Sequence, residues 1–214
     1  MSLGMAGSAG VTSFVIFTGM WLVMMVAMML PSLVPKLWRY HQSVDRTSEM
    51  HIGLLTVIVG TAYFFIWALF GMVAFPVGAA LAAMEMQHPA LARAVPIIAG
   101  VVVVIAGALQ FTSWKARHLV CYRDTPWHGH SLPADTGTAL KEGVRLGLHC
   151  AHCCSGLIAI LLVIGVMDLR AMVVVAAAIT LERLAPAGVF IARVIGIVII
   201  DAGLLLIARA TGLV

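Results

Sequence analysis

The chain of 214 residues is 62% hydrophobic, carries only 10% Asp, Glu, Lys and Arg, and has a mean hydropathy of +1.07. A soluble domain is about 45–50% apolar and about 25% charged, so this composition excludes an ordinary soluble domain and predicts an all-α, polytopic transmembrane bundle forming one integral domain over residues 1–214. The net charge of +4 is spread over segments between apolar runs, which excludes a nucleic-acid surface.

A membrane-crossing helix needs about 20 mostly apolar residues, which places six spans near 14–34, 52–75, 94–114, 146–166, 171–187 and 189–208. The first span holds Met20, Met24, Met25, Met28 and Met29. Met20, Met24 and Met28 recur every four residues and share one helix face, while Met25 and Met29 form a second stripe beside Trp21. Methionine is a flexible filler of helix interfaces, and its thioether is also a soft ligand for Cu(I); Met24 and Met28 are the candidate ligands here. The second span is able to continue past Pro76 as a kinked extension, and the "MEMQH" that follows, Met84 to His88, reads as an interfacial loop.

"QFTSWK" ends the third span, with Trp114 and Lys115 as interface anchors. The polar stretch 115–145 reads as a loop. Within it, His118 and Cys121, and His128 and His130 of "WHGH", read first as parts of a solvated loop, with an entry relay for an incoming ion as the competing reading.

The fourth span opens on "GLHCAHCCSG", two histidines and three cysteines in six residues. Each helical residue turns about 100°, so His149, His152 and Cys153 fall on one arc, able to meet one metal, with Cys150 and Cys154 on the adjoining arc. This spacing makes His149, His152 and Cys153 the expected core, Cys150 the next ligand and Cys154 the residue turned furthest away. The competing reading is that small residues here let helices pack closely. Near the end of the fifth span, Glu182 is either an ion-pair partner of Arg183, Arg193 or Lys115, or a group that holds a histidine ligand. "RLAPAG" then predicts a tight turn. Asp201, deep in the sixth span, is expected to be buried against a partner.

Six spans put both termini on one side. The segments after spans 1, 3 and 5 carry ten of the thirteen Lys and Arg, against Arg93, Arg170 and Arg209 opposite. The positive-inside bias then makes the termini external and those segments cytoplasmic, in a bacterial inner membrane. No Lys or Arg precedes span 1, so a cleaved signal is not expected. On this topology "MWLVMMVAMMLPS", "QFTSWK", "LHCAHCC" and "TLER" meet at one membrane level.

Together, "MWLVMMVAMMLPS", "AGALQFTSWK", "GLHCAHCC" and "GVMDLRAMVVVAAAITLER" occur in an order and spacing that resembles a bacterial family of predicted metal-binding integral membrane proteins. The resemblance covers nearly the whole chain. It implies a multi-span helical protein with a Cys-centred site, matching Cys150, Cys153, Cys154 and Glu182. The leading expectation is a non-enzymatic membrane protein that stores, moves or hands over a thiophilic metal, Cu(I) before zinc. Two rivals stay open: an accessory subunit of a larger membrane enzyme complex, and a thiol redox protein using Cys150 and Cys153 as a C-x-x-C pair. There is no nucleotide loop, nucleophile elbow or paired-acid motif to suggest an enzyme.

Overall fold

The computed structural model describes residues 3–44, 49–87, 89–123, 132–164 and 168–212. Among these the regular structure is helical: α1 (Leu3–Ser43), α2 (Glu49–Gln87), α3 (Pro89–Leu109), α4 (Ser113–Arg123), α5 (Thr136–Ile164), α6 (Leu169–Leu184) and α7 (Gly188–Ala210). The all-helical class is as expected from composition; the six-span count is not reproduced. Four helices, α1, α2, α5 and α7, are long and apolar enough to cross a membrane, and the α3–α4 pair, bent by 64°, makes a fifth if taken as one span.

The segment expected as a fifth span is the 16-residue α6, shorter than the roughly 20 residues a crossing needs. Its ends are set locally. The Asp168 carboxylate accepts from the Arg170 and Ala171 backbone N–H groups, and Pro186 follows in the tight turn to α7. That turn matches the expectation from "RLAPAG".

Two segments expected as loops are helical. α1 runs through Pro31 and Pro35 to Ser43, because Leu33, Tyr40 and Val44 continue its buried face and outweigh the lost backbone donors. Lys36 is therefore buried on α1 and not in a loop. Most of 115–145 is also helical, as α4 and the start of α5. The Asp135 carboxylate caps α5 by accepting from the Gly137 and Thr138 N–H groups. Arg46, His88, His128 and His130, with the side chains of Met84 and Cys121, lie outside the described residues.

α5 is the central helix, with 56% of its apolar window buried against 17% for α7. Glycines allow its closest approach to α2: a Cβ on Gly143 would lie 2.5 Å from the Val59 carbonyl oxygen, and one on Gly147 would lie 3.1 Å from that of Tyr63. Small residues at such contacts let helix backbones approach in an apolar medium. That approach seats the next turn of α5, which carries Cys150, against Tyr63.

Candidate metal centre

Three thiols point into the bundle from α5. Cys150, Cys153 and Cys154 are free and buried, and the Cys154 thiol is in hydrogen-bonding reach of the other two. The inward arc of the helix is therefore Cys153–Cys150–Cys154. This corrects two sequence expectations. Cys154 does not turn away; it is 1% exposed. His149 and His152 do not line the inner arc with Cys153: His149 is half-buried and His152 is exposed. The periodicity was sound, but the arc's orientation is fixed by Gly143 and Gly147 facing α2, which periodicity alone does not reveal.

Around the thiols the other helices supply polar groups. From α6, Arg183 Nη2 donates to Cys150 Sγ at 3.0 Å and to Cys154 Sγ at 2.8 Å, while Nη1 donates to Ser32 Oγ of α1 at 2.9 Å. From α2, the Tyr63 hydroxyl lies 2.7 Å from Cys150 Sγ. From α1, Met29 Sδ accepts from Cys150 Sγ at 3.9 Å. Met24, Met25 and Met28 are buried in the same core, and Met20 is exposed. Met24 and Met28 thus point inward as expected, but the thioether in contact with a thiol belongs to Met29.

The α3–α4 break delivers the remaining groups. The backbone N–H groups of Gln110, Phe111 and Thr112 each donate to a carbonyl three residues back, a tightened last turn. The Thr112 hydroxyl then caps α4 by accepting from the Lys115 N–H at 3.3 Å. This bend brings Gln110 and Lys115 to opposite sides of one carboxylate: Gln110 Nε2 donates to Glu182 Oε1 at 2.9 Å, and Lys115 Nζ is 2.8 Å from Glu182 Oε2. Lys115 also donates to the Cys153 carbonyl at 2.6 Å. It is 4% exposed, so it is no interface anchor. Of the partners considered for Glu182, the structure selects Lys115.

On the outer side of α5, His118 of α4 lies tilted against Trp114, with ring centres 4.5 Å apart, and faces His152 at 5.8 Å and His149 at 6.2 Å. Among the described residues no group of three or more His, Cys, Asp or Glu side chains is placed, as it stands, to hold a metal ion. Asp201, expected to be buried, is exposed on α7, because α7 packs through Gly196 and Gly203 on a different side.

Sequence reasoning missed Arg183 as a thiol partner and gave no role to Tyr63, Gln110 or Met29. The signal available was their rarity: an Arg beside a Glu at the inner end of a span, and a Gln just before a helix break.

The donor set suits a soft metal, since thiolates and thioethers favour Cu(I). Neither a curated protein nor a solved structure matches the chain. The sequence model of the PpoB2 family, described as a copper chaperone, matches residues 18–206, and the chain belongs to that family.

Proposed function

We propose that this protein is an integral membrane copper chaperone that carries Cu(I) as cargo between Cys150, Cys154 and Cys153, with Met29 as a thioether beside them, and hands it to another protein without catalysing a reaction. The observation that carries this reading is Arg183, whose one Nη2 bridges the Cys150 and Cys154 sulfurs. Ligating thiols must be deprotonated, and two thiolates on Cu(I) leave one net negative charge. In a buried site that charge needs a counter-ion. The Arg183 guanidinium, which donates to both sulfurs, stands where it would offset the charge of a bis-thiolate Cu(I) group. The soft thiolate and thioether donors favour Cu(I) as the cargo. Glu182 acts here as a frame for Lys115 and not as a ligand, and Met24 and Met28 act as packing around Met29.

The test is copper and zinc per chain after native purification in detergent under reducing conditions. About one copper per wild-type chain is expected, as for one bis-thiolate site. Cys150→Ser and Cys154→Ser should each lose most of it. Undiminished copper in both variants overturns the site.

The long apolar helices support insertion in a bacterial cytoplasmic membrane with both termini external. That topology requires α6 to complete a short crossing alongside the bent α3–α4 pair. A cysteine placed by Ser131→Cys should then resist an impermeant thiol reagent in intact cells. Labelling there would put the site at the opposite face.

A further inference from the structure

From the outer face of α5, we infer that His118, His149 and His152 form a second metal site, separate from the thiols, that takes one divalent cation of borderline softness such as Zn(II). The inference does not depend on Cu(I) at the cysteines. His118 Nδ1 lies 2.8 Å from the Trp114 carbonyl oxygen, and His152 Nδ1 lies 2.7 Å from that of Leu148. A carbonyl only accepts, so each Nδ1 carries the proton and each Nε2 keeps its lone pair. This backbone-held tautomer is how ligating histidines are commonly oriented.

The two helices bring the rings together. His149 and His152 lie three residues apart on α5 and so share a face, and His118 of α4 meets them at ring-centre distances of 6.2 and 5.8 Å. Two imidazoles sharing a tetrahedral ion through nitrogens at about 2.0–2.1 Å hold their ring centres about 5 Å apart. Closing by about an ångström takes small side-chain rotations, which the exposure of His152 accommodates while its Nδ1 stays on the Leu148 carbonyl. Imidazole without thiolate selects Zn(II), Ni(II) or Cu(II) over Cu(I). Three imidazoles leave a fourth position open to water or a partner's ligand. The alternative role for these rings is aromatic packing: Trp114 lies tilted against His118 and meets His152 edge-on.

Co(II) titration of the purified full-length protein separates the two roles, because Co(II) is redox-quiet toward thiols and reports its ligands optically. The wild type should bind one Co(II) with ligand-field bands but no thiolate-to-metal charge-transfer band, and Zn(II) should displace it. His118→Phe keeps a ring on Trp114 but removes a ligand. It should weaken Co(II) binding by roughly tenfold or more and leave Cu(I) retention unchanged. Unaltered Co(II) affinity in His118→Phe, a thiolate charge-transfer band, or a parallel loss of Cu(I) would each overturn the inference. If the wild type retains no copper yet shows His118-dependent Co(II) binding, the chaperone reading fails and this site stands.

Discussion

The inner and outer faces of α5 at one level differ in what surrounds them more than in what they carry. Inward, three buried thiols meet Arg183, Tyr63 and Met29, and every charge there has a partner from another helix. Outward, among the described residues, His149 and His152 face the short α4, with a carbonyl fixing each Nδ1 of His118 and His152. One six-residue stretch therefore presents thiols to one surrounding and imidazoles to another, because a helix turns about 100° per residue and only one arc can face a low-dielectric interior. The contrast teaches that side-chain type follows burial: the thiols lie inside against a guanidinium, whereas the imidazoles lie outside and are oriented by backbone carbonyls.

The largest way to break the contrast is to unbalance the inner face. Lys115→Met leaves the Glu182 carboxylate buried without its cation, and should destabilise the protein by about 3–5 kcal/mol, read as thermal unfolding in detergent. Adding Glu182→Gln should recover most of that loss, since the charge left behind is removed as well. No recovery in the double variant would show that the pair does not act as a charge-balanced unit.

A smaller effect is expected from moving the inner face bodily. Gly147→Ala places a Cβ 2.9 Å from Ile66 Cγ1 and 3.1 Å from the Tyr63 carbonyl oxygen. Overpacking of this kind costs about 1–3 kcal/mol, and it should lower copper retention by shifting Cys150 from Tyr63 while leaving Co(II) binding at the outer histidines closer to wild type. Equal losses at both faces would show that α5 does not present them independently.

The smallest effects sharpen which thioether belongs to the site. Met29→Leu should reduce Cu(I) retention roughly three- to tenfold, about 1 kcal/mol, whereas Met28→Leu, similar in volume, should change it by less than about twofold. His152→Ala should leave Cu(I) retention equally unaffected. A greater loss in Met28→Leu than in Met29→Leu would move the thioether contact to the other stripe of α1.

Composition and periodicity determined much by themselves. Apolar runs near 20 residues can satisfy their backbone in lipid only as helices, so the helical class and most of the segments were legible. "HCAHCC" stood out as the candidate site because five side chains of metal-ligating type in six residues are rare in an apolar helix. The helical turn also determined which of those residues share an arc. The tertiary structure decided which arc faces in, and it did so through the approach of Gly143 and Gly147 to α2, a contact between residues some 80 positions apart. It alone chose Lys115 for Glu182 and Arg183 for the thiols, because the α3–α4 bend and the short α6 set those side chains at one depth. Local sequence fixes the angle between neighbouring side chains on a helix; which helix lies opposite each face is a property of packing, and the partner of a buried charge is settled there.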